Sequence, residues 1–178
     1  MEAKQRILEA TQSVICQSGL SNLSIQRIAD ELDQSKSAVY YHYESKHDLI
    51  ISFLDYLHDH LKETIKAVNR DDPEEALQNL IAELSSIQNN DERNLRVAIM
   101  SLRAEAPHDE HIAKRFQAID KTVQSTFEDL YRSMNVQSSE QAASLTVSAI
   151  DGVVNRSLGY QLPKDNIDLL DGFPQRFT

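Results

Sequence analysis

Leu23-Ser-Ile-Gln-Arg-Ile-Ala-Asp-Glu-Leu-Asp-Gln-Ser-Lys-Ser-Ala-Val-Tyr-Tyr-His-Tyr-Glu-Ser-Lys46 reads as two short helices joined by a tight turn and closed by an aromatic cluster. Ser24 has the side chain of an N-cap, and Ile25, Ile28, Ala29 and Leu32 recur at helical spacing behind it. Ala29 is small where two helices must cross closely, and Asp33-Gln34 supplies the turn. Ser35 caps a second helix that turns Ala38 and Val39 inward. Gln34, Lys36, Ser37, Tyr40 and His42 are left facing outward. Short polar side chains and a Lys at a helix N-terminus suit phosphates and base edges, so the pattern predicts a helix-turn-helix that lays its second helix in the major groove of DNA.

The candidate DNA contacts are Ser24, Gln26, Arg27, Gln34, Ser35, Lys36, Ser37, Tyr40, His42 and Lys46. Lys36, Tyr40 and Lys46, with Arg27, are placed for phosphate; Gln34, Ser35 and Ser37 are placed for base edges. Tyr41 and Tyr43 are expected to pack inside a three-helix head rather than stack on bases.

The leading helix, Ser-Ile-Gln-Arg-Ile-Ala, Ser-Lys-Ser-Ala-Val-Tyr-Tyr-His-Tyr and Glu-Ser-Lys-His-Asp-Leu fall in an order that resembles the N-terminal domain of TetR-family transcriptional regulators. The resemblance covers roughly the first fifty residues, the size of one recognition module. Two positions depart from the family pattern, which usually has Gly where Asp33 stands and an apolar residue where Gln34 stands. Asp tolerates the left-handed backbone of such a turn. Gln34 is expected to cost some packing beneath it.

Composition agrees with an all-α chain. Its 178 residues suffice for a small head, residues 1–47, and a larger helical domain, residues 48–178, and four Gly and four Pro are too few for a strand-rich fold. No apolar run reaches the ~18 residues of a membrane span, and Met1 to Lys4 lacks the layout of a signal peptide, so a cytoplasmic location is expected. Cys16 is the single cysteine, which excludes an internal disulfide.

Charge is awkward for a DNA binder: the net formal charge is -10. The surplus is unevenly placed. Residues 1–47 carry five Lys and Arg against six Asp and Glu, whereas the remainder carries 13 against 22. A dimer can present Arg27, Lys36 and Lys46 to the backbone while the acidic mass faces away, which predicts modest non-specific binding and a shallow salt slope. Such a surface also suits a saline cytoplasm.

Helical periodicity continues to the end of the chain. A first helix is expected from Ala3 to Ser18, stopped by Gly19. Ser45-Lys-His-Asp48 is a capping box opening a long helix to about Val68, a candidate for carrying motion between the domains. Asp72-Pro73-Glu74-Glu75 starts another, ending near Asn89-Asn90. Helices then follow from Asp91 to Ala106, from Asp109 to Met134, and from Ser138 to Leu158, with a loose tail from Gly159 to Thr178.

The resemblance implies a homodimer in which the last two long helices meet their copies. The small residues Ala142, Ala143, Ser144, Ser148, Ala149 and Gly152 permit close approach, either there or within the chain. It further implies a small effector among the middle helices. Candidate lining residues are Phe53, Tyr56, Leu57, His60, Leu84, Ile99, Met100, Arg103, Phe116, Ile119 and Val123, most of which core packing alone would also explain. Arg103 and His60 could hold an acidic head group; Arg103 could equally pair with Glu105.

His108 and His111 stand three apart at a helix start, a spacing that can chelate a cation. Acids crowding a helix N-terminus account for the same stretch, and no metal or cofactor is expected. No phosphate loop, Cys pair or nucleophile elbow is present, so no enzyme is expected. The expectation is a dimeric repressor with double-stranded operator DNA as partner, released by an apolar or amphipathic effector. The alternative is a helical adaptor that keeps the head and acts through a protein partner.

Overall fold

The structure, a computed structural model, describes residues 2–159, and among them there are helices and turns but no strand. The tail beyond Gly159 lies outside the described residues. Among the described residues eight α-helices follow one another: α1 (Glu2–Ser18), α2 (Ile25–Glu31), α3 (Lys36–Tyr40), α4 (Lys46–Ala67), α5 (Pro73–Ser85), α6 (Asn90–Glu105), α7 (Glu110–Ser133) and α8 (Ser139–Gly159). Short 3-10 turns occupy Leu20–Asn22 and Ala106–His108, the second carrying Pro107.

Local chemistry sets most of these boundaries. Ser24 accepts the amide of Arg27, Ser35 that of Ala38, and Asp72 those of Glu74 and Glu75, so each satisfies donors that the first turn of a helix leaves orphaned. Gly19, at φ 78°, turns the chain after α1. At the start of α4, Ser45 Oγ accepts the Asp48 amide at 3.0 Å. The reciprocal bond is shifted by one residue: Asp48 Oδ2 takes the amide of Glu44, at 3.2 Å, instead of that of Ser45.

One boundary differs from expectation. Helix α5 stops at Ser85, several residues before Asn89-Asn90, because the Ser85 hydroxyl back-bonds to Ile81 O and Ser86 swings to an extended backbone. Asn89 belongs to the next helix, which it caps by accepting the amide of Glu92.

By packing, the chain divides into two compact units, Met1–Asp59 with Ile87–Gln117, and His60–Ser86 with Ala118–Thr178. Residues 1–47 are thus one part of the first unit, which also holds the start of α4, α6 and the start of α7. Its core joins Ile7, Val14 and Ile15 of α1 to Ile28 and Ala29 of α2, Val39 of α3, Tyr43, Leu49 and Phe53 of α4, and Ala98 of α6. Full burial of each large aliphatic or aromatic side chain here stabilises by about 1.5–3 kcal/mol. Asn94 of α6 donates to the carbonyl of Cys16 at the end of α1. Arg115 of α7 holds Asp55 of α4 through two bonds of 3.2 Å.

In the second unit, α5 buries Ala76, Leu77, Leu80 and Ile81, α7 buries Phe127, Leu130 and Tyr131, and α8 buries Ala142, Ala143, Thr146, Ile150, Val153, Val154 and Leu158. Asn135, at φ 61°, makes the corner between α7 and α8. An open depression of about 480 Å³ lies at this corner, lined by Met134, Val136, Gln137, Gln141 and Leu145 among others.

Candidate nucleic-acid interface

Val39 is the pivot of the reading helix. It is fully buried, together with Ile28 and Ala29 of α2, which fixes the rotation of α3 about its axis. With Val39 inward, Lys36, Ser37 and Tyr40 are exposed, and Tyr40 retains 50% of its surface. The turn before α3 is closed by the Gln34 amide donating to Ala29 O at 2.8 Å, with Asp33 at φ 52°, the left-handed geometry expected there. The Gln34 side chain is exposed, so it takes no room beneath the turn and the expected packing cost does not arise.

Of the remaining candidate contacts, Gln26, Arg27, Ser35 and Lys46 are exposed, and Ser24 and His42 are half-buried. Three are already engaged within the head. Ser24 caps α2 by accepting the Arg27 amide. Gln26 donates to Asp30, and Ser35 Oγ both accepts the Ala38 amide at 3.3 Å and lies 3.0 Å from Ser37 Oγ. Arg27 and Lys46 lie one residue from elements that anchor the head, Ile28 in the core and Ser45 at the cap of α4.

The aromatic cluster divides differently from expectation. Tyr43 is buried, with its hydroxyl 3.5 Å from Lys4 O and the Lys4 ammonium 5.6 Å from its ring. Tyr41 is 85% exposed and meets His42 edge-on. The reason is angular: two residues beyond buried Val39, a side chain on a continuing helical turn points to the opposite face. Burial raises the Tyr43 phenol above its ordinary value, with the Asp48 carboxylate adding to the effect.

The candidate effector residues are distributed over both units. Phe53, Tyr56, Leu57, Ile99, Met100, Arg103 and Phe116 belong to the first; His60, Leu84, Ile119 and Val123 belong to the second. Phe53 and Phe116 are buried, Tyr56, Leu57, Leu84, Ile99, Ile119 and Val123 are half-buried, and His60, Met100 and Arg103 are exposed. Tyr56 stacks on Phe53 with centroids 6.1 Å apart, and burial followed by the Glu9 carboxylate raises its phenol. The Arg103 guanidinium lies over the Phe116 ring, 4.6 Å from its centroid. The depression between α7 and α8 is lined by none of the expected effector residues.

Cys16 is half-buried, and burial, reinforced by Asp91, raises its thiol above the ordinary value, so it is a poor nucleophile. Of His108 and His111, only His111 joins a polar corner, in which sequence reading missed one partner. His47, sixty-two residues before Asp109, meets that carboxylate at 2.6 Å.

Residues 7–53 match the family model of bacterial regulatory proteins, tetR family. None of the curated proteins matches the chain. Among solved structures, it is similar to a TetR transcription regulator from Haloarcula marismortui, with 29% identity, a TM-score of 0.82, and coverage of 98% of this chain and 94% of that one. A transcriptional regulator from Rhodococcus sp. Rha1 shares its fold at 20% identity, with a TM-score of 0.83 and coverage of 98% and 95%. NalD of Pseudomonas aeruginosa, the secondary repressor of the MexAB-OprM multidrug efflux pump, does so at 20% identity, with a TM-score of 0.66 and coverage of 98% and 94%. The resemblance read from the sequence is borne out. Residues 7–53 match the tetR-family model, on a chain with the all-α fold of TetR-family transcriptional regulators, which are DNA-binding regulators and not enzymes.

Proposed function

We propose that this DNA-binding regulator of the TetR type is a dimeric repressor, released from operator DNA when its helical domain takes up a small apolar or amphipathic effector. The carrying observation is the exposed row of Lys36, Ser37 and Tyr40 on a helix whose rotation is fixed by buried Val39, with exposed Gln34 in the turn before it and exposed Arg27 and Lys46 elsewhere in the head. In this reading Arg27, Lys36, Tyr40 and Lys46 take phosphates, and Ser37 and Gln34 take base edges. Ser35, its hydroxyl committed to the cap, holds Ser37 in place. Ser24, Gln26 and His42 lie at the edge of the footprint.

The functional division falls at residue 47, with the head before it and the effector and dimer functions after it. Dimerisation is supported by physical need, since one short recognition helix offers few contacts for a specific site. It is supported too by the face of α8 on which Leu145 retains 53% of its surface, in line with exposed Ser148 and half-buried Ala149 and Gly152. The repressor role is supported by NalD, whose fold is similar and which is itself a repressor. No described helix is long and apolar enough to cross a membrane, and a cytoplasmic location follows from the function proposed.

For the effector, half-buried Leu57 and exposed Met100 supply apolar groups and exposed Arg103 a cation, all within the first unit, while Phe53 is buried in its core. A ligand wedged there would tilt α4 and move the recognition helices of a dimer off successive major grooves, about 34 Å apart. It must favour the DNA-free state, and operator DNA must weaken its binding by the same factor. The experiment is titration of a copurified lipophile into the chain with and without operator; identical affinities would show that the molecule is not the inducer.

A further inference from the structure

Asp55 of α4 and Arg115 of α7, sixty residues apart in the chain, form a two-pronged ion pair. The Nε and Nη2 of the guanidinium donate to Oδ1 and Oδ2 of the carboxylate, each at 3.2 Å. The Arg115 side chain is 29% exposed and that of Asp55 54%, so water screens the pair and it adds little to folding. Its consequence is geometric. Leu49 and Phe53 of α4 lie in the core of the head, and Leu54, next to Asp55, is fully buried. Phe116, next to Arg115, is buried with the Arg103 guanidinium of α6 over its ring. Both partners therefore stand on backbone that packed side chains hold in place.

The chain passes between the two units three times, after Asp59, after Ser86 and after Gln117. Two of these crossings are made by α4 and α7, just beyond Asp55 and Arg115. In the proposed dimer the reading head belongs to the first unit and the pairing face of α8 to the second, so the spacing of two heads is carried through these crossings. The two helices are also joined at their starts, where His47 meets Asp109 at 2.6 Å. One such contact leaves a pivot. A second, ~12 Å further along α4 by helical rise, fixes the angle at which the helices cross. We propose, on the two-headed reading above, that Asp55 and Arg115 are positioning residues for operator binding: their pair sets the angle of α4 and so aims each recognition helix at its own major groove. A give of about 2 Å over this lever turns α4 by roughly 10°. Each head carries one pair, so the penalty counts twice on a two-headed site and is absent where the heads meet phosphate without register.

The experiment compares the affinity of the full chain for the duplex upstream of its own coding sequence with that for a scrambled duplex. The variants are Asp55→Asn, Arg115→Gln, the two combined, and the swap of Asp55→Arg with Arg115→Asp. Each single variant should bind the upstream duplex at least about threefold more weakly, with scrambled binding changed by less than about twofold. The combination should be no worse than either single variant, and the swap should recover part of the loss. Charge alone would move the two single variants in opposite directions, so a loss in both identifies the pair. Circular dichroism and melting should stay close to the parent, because neither side chain is in a core. An upstream-to-scrambled ratio left unchanged by both single variants, or losses that add in the combination, would overturn the proposal and leave the two-headed reading standing. A parent that binds both duplexes equally would overturn that reading and the positioning role with it.

Discussion

The Oγ of Ser35 lies 3.0 Å from the Oγ of Ser37 while it also accepts the amide of Ala38. One hydroxyl thus caps the reading helix, and the other stands exposed beside it. Ser35→Ala should cost about 1 kcal/mol of head stability, the usual loss for a serine cap, and weaken binding to every DNA sequence alike. Ser37→Ala should leave unfolding unchanged and alter which bases are preferred. Denaturant melts and a selection of bound sequences from a random pool check both.

Lys46 is exposed one residue past the cap of α4. Lys46→Ala should weaken specific and non-specific DNA binding together. It should also reduce the slope of log affinity against log salt by about 1, the signature of a lost phosphate contact. Fluorescence anisotropy over a salt series provides the measurement.

Asp33 sits at φ 52°, where only a residue without a branched Cβ is comfortable. Asp33→Gly should be neutral or slightly stabilising. Asp33→Val should cost about 1–2 kcal/mol, read as a lowered denaturation midpoint at constant m-value.

How much of this could be read from the chain alone depends on how local the cause is. Ser24, Ser35 and Asp72 cap helices through residues two or three positions away, and their helix starts were legible. Asp33 was legible for the same reason. The end of α5 was not, because Ser85-Ser86 and Asn89-Asn90 are both plausible stops and the choice rests on a back-bond from Ser85. Tyr41 was misread because α3 has five residues, too short a run for periodicity to fix a face. The link from His47 to Asp109 spans sixty-two residues, and no spacing rule reaches so far. The two-unit division was equally hidden, since it is made by α6 packing back on α1 across a separation of 78 residues.

Tyr131 and Thr146 meet at 2.7 Å in the second unit. Thr146 gives its own proton to Ala142 O at 2.9 Å, so Tyr131 is the donor. Burial raises the Tyr131 phenol above the ordinary 10.0. The folded pKa is above the unfolded one, so this stability is complete below pH ~10 and is lost as pH rises through the folded value. Tyr43 and Tyr56 act in the same direction. Melting temperature should therefore fall above pH ~10. Tyr131→Phe should lower stability by about 1 kcal/mol at neutral pH and make the alkaline fall shallower.

Leu145 is 53% exposed on α8, so a charge there does not disturb the core of one chain. If α8 meets its copy, Leu145→Glu should bury an unpaired carboxylate, split the dimer and lower operator affinity, with helicity unchanged. Light scattering that still finds a dimer would remove Leu145 from the interface.

The most direct test is binding of the full chain to the DNA upstream of its own coding sequence, in the presence of excess scrambled competitor at physiological salt. The predicted result is a saturable complex of two chains per site, at least about 10³-fold tighter than on the scrambled duplex, and lost in a Lys36→Ala, Tyr40→Ala double variant that remains folded. Equal affinity for operator and scrambled DNA, or no retention of either, would contradict the account.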